Sequence, residues 1–316
     1  MIYEFALDPA LVATWHDRLE YLFFEEKFGV QSRRITSTYP KDWKKLVWAA
    51  FENGGTPAGD MAKKRLEVVL SDVLSGTIKR VSTFSEVPDW LERAETENVK
   101  RPFRAILSKN NPRSNVSVID SEMLLEYGHD LWSIPDLNTV SRTPAEIAVA
   151  LKSTIQFCKK AIFIEPYFSS TDRTLSETLG HLFDVLWNIR IPGNDPVVQF
   201  QVKIDIRADE VEANRFISEC ELFLQRTVPS GKRIELIVKK NKYGQQRFHN
   251  RYILTESIGI GLPTGLAHAD TSRSETDDLY ILSRAQYQER WIQYVNGTPS
   301  PFETLAQKVI TGSYRI

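Results

Sequence analysis

Residues 197–240 read "VVQFQVKIDIRADEVEANRFISECELFLQRTVPSGKRIELIVKK". The opening "VVQFQVKIDI" alternates apolar and polar side chains, the two-residue period of a half-buried strand. "ADEVEANRFISECELFLQRT" then reads as a helix, stopped by "PSG". "RIELIVKK" is a second strand. A strand, a helix of this length and another strand predict an α/β fold.

The same order extends outward in both directions. Upstream, "AIFIE" is a short buried strand and "TLSETLGHLFDVLWNI" a helix. Before them, Thr143 is placed to cap a helix with Pro144 at its first position and Glu146 at its third, running to about Lys159. Downstream, "RFHNRYILT" reads as a strand after the turn at Lys242-Tyr243-Gly244. "DDLYILS" is a last strand, followed by the helix "RAQYQERWIQYV". The stretch "SIPDLNTVSRTP" at 133–144 marks a boundary. The expected division is residues 141–316 as a mixed sheet flanked by helices and residues 1–140 as a mainly helical region. In that first region Leu11, Val12, Trp15, Leu19, Leu22 and Phe23 recur at helical spacing. "YPKDWKKLVWAAF" and "DMAKKRLEVVLSDVLS" are further helices, the latter with Asp60 to cap it and Gly76 to end it. "RPFRAILSKNNPRSNVSVIDS" holds two short β runs around a turn.

Composition narrows the function classes. The chain has 316 residues, 42% apolar and 26% charged, ordinary values for a globular protein. Its formal net charge is −1, so no global field recruits a polyanion, and any such site must be a local basic patch. Cys158 and Cys220 lack metal-site or redox spacing and read as reduced and buried. The N-terminus has no basic region of a secretory leader, and no apolar run approaches the roughly 18 residues of a membrane span. A cytoplasmic location without membrane attachment is the expectation. No phosphate-binding loop, dinucleotide fingerprint or nucleophile elbow is present, and no His, Cys or acidic cluster has metal-ligand spacing.

One stretch carries chemistry: "RFHNRYILTESIGIGLPTGL" at 247–266. Two residues apart on a strand, His249 and Arg251 share a face. A guanidinium beside an imidazole is a poor core pair but a sensible pair around a phosphate. Arginine grips two phosphate oxygens, and imidazole attacks phosphorus or protonates a leaving oxygen. Glu256, seven residues past the histidine, falls on the other face or in the closing turn, where it would brace the site. The basic stretch "VKKNKYGQQR" leads straight into this strand. Its Lys239, Lys240, Lys242, Tyr243 and Arg247 combine charge with an aromatic and are candidate phosphate-backbone contacts, as are Lys41, Lys44 and Lys45 elsewhere.

His249, Arg251 and Glu256 resemble the His-x-Lys-x4-Asp pattern of the phospholipase D superfamily, with arginine for lysine and glutamate for aspartate. The resemblance covers about the second half of the chain. The family's Gly-Ser-x-Asn turn has a counterpart near "GIGLPTGL", where Thr264 and Gly265 would help hold phosphate, though the asparagine is absent. Asp277 or Asp278 lies at about the distance of the family's later acidic residue. "AIFIEPYFSS", with Glu165, resembles the strand and loop that open such domains. The resemblance implies a phosphodiesterase that needs no metal or cofactor, with His249 as nucleophile or general acid. Because the family uses two histidines and this chain has one motif, it also implies a homodimer pairing two copies of His249, or a larger complex. DNA is the expected substrate, in the manner of subunits of bacterial restriction or anti-phage systems. The alternative is a catalytically inactive scaffold that binds nucleic-acid phosphates or a protein partner.

Overall fold

The computed structural model describes residues 2–30, 32–54, 59–73, 78–80, 89–125, 129–134, 139–156, 158–188, 195–269, 274–296 and 300–314. They belong to two compact units, Ile2–Asp136 and Leu137–Ile316.

The first unit runs β1 (Tyr3–Leu7), α1 (Pro9–Val12), α2 (Arg18–Lys27), β2 (Arg34–Thr38), α3 (Trp43–Glu52), α4 (Asp60–Val68), β3 (Ile78–Lys79), α5 (Trp90–Lys100), β4 (Ala105–Leu107) and β5 (Val118–Ile119). Helical residues outnumber strand residues, but a five-stranded sheet of order β3-β2-β1-β4-β5 organises them, every pair parallel. The short "YEFAL" and "RITST" strands were absent from the sequence expectation. Each has four of its five residues buried, so no long alternation announces them. Phe5 and Leu7 pack into one core with Trp15, Trp43 and Leu66, whereas Ala6 packs into another with Leu91 and Ala94 of α5. The sheet is therefore covered on both faces. The single amphipathic helix expected near residues 11–23 is broken. Its first part ends in a 3-10 turn, and the Asp17 carboxylate accepts the Leu19 N–H to start α2 afresh. The restart shifts the register: Phe24 is buried, and Leu19 and Leu22 face solvent.

The second unit runs β6 (Thr139–Ser141), α6 (Pro144–Ile155), β7 (Lys160–Ile164), α7 (Arg173–Asn188), β8 (Val197–Lys203), α8 (Glu210–Thr227), β9 (Arg233–Asn241), β10 (Tyr252–Thr255), β11 (Gly259–Gly261), β12 (Thr276–Asp278), β13 (Tyr280–Ile281), α9 (Arg284–Trp291) and β14 (Phe302–Thr311). Seven strands form one mixed sheet of order β13-β11-β10-β7-β8-β9-β14. β7, β8 and β9 are parallel, and the pairs outside them are antiparallel. The Thr143 hydroxyl accepts the Glu146 N–H and caps α6 as its sequence requires. On one face Phe163, Phe200, Val202 and Leu236 pack against α6, α7 and α8. On the other, Ile162, Ile164, Phe248, Tyr252 and Leu254 pack against Tyr287, Trp291 and Tyr294 in and beyond α9.

Two departures from the sequence reading matter. "DDLYILS" is two strands: β12 pairs with β6 in a separate two-stranded sheet, and β13 edges the large one. β14, not anticipated at all, pairs along β9 from Phe302 to Thr311. Cys158 and Cys220 are buried, and neither is in a disulfide. No helix among the described residues is long and apolar enough to cross a membrane.

Candidate functional site

β10 runs antiparallel to β7, with Tyr252 opposite Ile164, and Ile164 is also paired with Gln201 of β8. The segment leading into β10 therefore meets the residues that follow β7 and the last residues of β8. In open α/β sheets this carboxyl end of the parallel strands, where chain order reverses, is where ligands bind.

His249 and Arg251 are not on the strand itself, which begins at Tyr252. The chain turns at Gly244, whose φ is +71°, and the Asn241 side-chain oxygen then accepts the Phe248 N–H at 2.7 Å. Phe248 is driven into the core against Tyr294 and Phe302, which pulls the backbone off the ladder. The two side chains nevertheless share a half-open pocket of about 230 Å³. Tyr167 and Asn250 complete its polar part, and Leu262, Pro263 and Tyr280 supply the apolar part.

His249 is exposed, and its Nδ1 lies 3.0 Å from the Arg247 carbonyl oxygen. A carbonyl only accepts, so Nδ1 carries the hydrogen and the neutral ring keeps its lone pair on Nε2. That is the tautomer a nucleophilic or proton-accepting imidazole needs.

Arg251 is firmly held. Its Nε donates to Glu165 Oε1 at 3.2 Å, Nη1 donates to the Pro263 carbonyl at 2.9 Å, and its guanidinium carbon lies 4.6 Å from the centre of the Tyr167 ring. Lys203 Nζ sits at the same 4.6 Å from that ring, so two cations share one aromatic. Glu165 also accepts the Leu266 N–H. Burial pushes its carboxyl above the usual range, and Arg251 with the Leu266 and Tyr167 amides pulls it back only in part.

The glycines of "GIGLPTG" explain this geometry. A Cβ on Gly259 would run into Leu282 and Leu254 at 2.7 and 2.9 Å. A Cβ on Gly261 would fall over Tyr280, at 2.5 Å from both Cε1 and Cε2 and nearer still to Cζ. The ring therefore lies face-down on the glycine opposite it in the ladder. Gly265, at φ +87°, has Arg251 Cδ and Glu165 Oε2 each 2.8 Å from where a Cβ would stand. Thr264 beside it donates its hydroxyl and its N–H to Asp277 Oδ2, which pins the loop under Arg251.

The other sequence candidates fall elsewhere. Glu256 is at the far end of β10 from His249, where its carboxylate accepts the Lys159 and Lys160 N–H groups at 2.7 and 3.1 Å. It braces the start of β7 and does not reach the pocket. Asp278 accepts the Thr139 hydroxyl at 2.6 Å, tying β12 to β6. Asp277 supports Thr264 and makes no hydrogen bond to His249 among the described residues. Lys239 is buried and donates to the Tyr294 carbonyl, so it is no phosphate-backbone contact; Lys240 is spent on the Ala208 carbonyl and Glu303, and Lys242 on the Ser300 carbonyl. Arg247 is exposed and contributes the carbonyl that orients His249. In the first unit Lys44 donates to the Leu70 carbonyl and Lys45 pairs with Asp42. Sequence reasoning missed Lys203, Asn250 and Tyr280. Asn250 was adjacent to the motif, but Lys203 and Tyr280 arrive from other strands with no local signal. Among the described residues no group of three or more His, Cys, Asp or Glu side chains is placed to hold a metal ion. In comparisons with known proteins, the chain matches no family model and no curated sequence.

Proposed function

We propose that the second unit is a phosphodiester-binding domain of phospholipase D type, acting on DNA as a nuclease or nuclease-like subunit. The observation that carries this reading is His249: exposed, with Nδ1 engaged by the Arg247 carbonyl so that Nε2 is the nitrogen left for a ligand, and in one pocket with Arg251. In the reaction, Nε2 attacks phosphorus and the bond from phosphorus to the leaving oxygen breaks. The leaving oxygen takes a proton from a second acid, and water then hydrolyses the phosphohistidine. This pocket holds one histidine, so the acid is the His249 of a second copy, or a group on a partner. Arg251 and Lys203 offset the phosphate charge. The test is cleavage of labelled DNA in EDTA, with solution mass measured alongside. Wild type should cleave as a dimer or larger assembly, and His249→Ala should lose at least 100-fold in rate, within the range for a nucleophile or general acid. A monomer with no activity, unchanged by His249→Ala, sinks the enzyme reading.

One observation favours a second reading. Arg251 already gives its Nε to Glu165 and its Nη1 to Pro263, and its charge is offset before any ligand arrives. That suits a scaffold that recognises phosphates or a partner without cleaving. In that case oligonucleotide binding survives, and His249→Ala changes affinity but there is no turnover to lose.

A further inference from the structure

The pocket has two chemically different parts. His249, Asn250 and Arg251 supply an imidazole, an amide and a guanidinium. The other part is Tyr280 with Leu262 and Pro263. Tyr280 is 43% exposed, and one ring face is already occupied by Gly261. Gly261 therefore closes one face of the ring, and the exposed remainder is the other face and the hydroxyl edge. The Asn250 side chain makes no hydrogen bond among the described residues, so both its carbonyl and its amino group are available. Tyr167, 55% exposed and flanked by Lys203 and Arg251, stands at the polar side.

We infer that the pocket takes one unpaired nucleotide, its base stacked on the open face of Tyr280 and its phosphate at His249 and Arg251, so that the ligand is a single strand and not a duplex. The inference rests on the phosphodiester reading of the same site. A base inside a duplex is stacked on both faces and paired along its edge, so it cannot lie on a tyrosine ring without being extruded. A base in a single strand offers its face at little cost, and every base has one, which makes the platform tolerant of sequence. Asn250 lines the same pocket and offers a donor and an acceptor to the edge of the base.

The experiment is fluorescence anisotropy of the full chain with four labelled probes: single-stranded oligo-dT, single-stranded oligo-rU, the same length of duplex, and a single strand of abasic residues. Single strands should bind at least 10-fold tighter than duplex, and the abasic strand should lose most of that margin. Tyr280→Ala should weaken single-strand binding by about 5- to 150-fold, the range for removing one base–aromatic stack, and leave duplex binding unchanged. Tyr280→Phe should retain wild-type affinity, since the ring and its packing on Gly261 are kept. Oligo-dT and oligo-rU both binding tighter than duplex supports the inference whichever of the two is preferred. Equal affinity for duplex and single strand, or for abasic and intact strand, overturns it. The EDTA cleavage assay separates the two readings. Single strand cleaved equally by wild type and Tyr280→Ala keeps the phosphodiesterase and ends the base platform. Single-strand binding without cleavage does the reverse.

Discussion

At the scale of single residues, Gly265 holds the site together. Its φ of +87° is a conformation that costs other residues roughly 1–2 kcal/mol. Its missing side chain also leaves the space in which Arg251 and Glu165 meet. Gly265→Ala should therefore lose on the order of 1–3 kcal/mol of stability and displace Arg251, weakening phosphate binding. Gly244→Ala is the matched control: its φ is +71°, but nothing lies within 4 Å of a Cβ there. It should show the backbone cost alone and leave affinity unchanged. Denaturant midpoints and oligonucleotide affinity measured on both variants check this, and equal affinity loss in the two would refute it. The residue scale is also where the sequence was least transparent. His249, Arg251, Glu165 and Gly265 come together, and spacing along one stretch had singled out three of them. Glu256 fitted the same spacing, yet four strand residues carry it to the opposite end of β10, where it meets backbone amides instead. Tyr280 and Lys203 enter only through strand pairing, which no local pattern reports.

At the scale of elements, β9 carries a device that its sequence conceals. "RIELIVKK" is legible as a strand, but which of its lysines turns inward depends on β14, the partner that was not foreseen. Lys239 is buried and donates to the Tyr294 carbonyl at 3.3 Å, while Gln201 donates to the same oxygen at 3.0 Å. The Gln201 side-chain oxygen is buried with no partner among the described residues. Burial brings the Lys239 ammonium down from 10.5 to about 8. Below about pH 8 this lysine is charged in both the folded and the unfolded chain, and the folded state bears the full desolvation cost. Between about pH 8 and 10.5 the unfolded chain holds more protons, so stability from this group rises with pH. The difference corresponds to roughly 3 kcal/mol as an upper bound. Lys239→Met should therefore stabilise the protein by about 1–3 kcal/mol at pH 7, with the gain shrinking as pH approaches 10.5. Urea denaturation of both proteins at pH 7 and pH 10 checks it; a gain that does not depend on pH would be the wrong result. The remaining elements divide by length. α6, α7 and α8 were plain in the sequence because 12, 16 and 18 residues give a helical period room to repeat. β1 and β2, five residues each with four buried, leave no period to read, whereas the two short β runs expected in 101–121 are β4 and β5.

At the scale of the whole molecule, each unit has what it needs to fold. The first has two cores, one on each face of its parallel sheet, and a buried ion cluster in which Arg80 pairs with Glu4 at 2.6 Å and Glu97 at 3.2 Å. The second likewise has a core on each face of its mixed sheet. Every residue of the proposed pocket, and every residue that props it up, belongs to the second unit. Domains of roughly 100–150 residues and above bury enough apolar surface to be stable alone. Residues 137–316 expressed by themselves should therefore unfold in one cooperative transition. They should also keep single-strand affinity within about 3-fold of the full chain, a difference below 1 kcal/mol. Circular dichroism against temperature and the anisotropy titration measure the two halves of this statement. A broad, non-cooperative melt would show that the second unit depends on the first for its stability. A cooperative melt with binding lost would place part of the ligand's hold in the first unit, and would move the search for the second acid there.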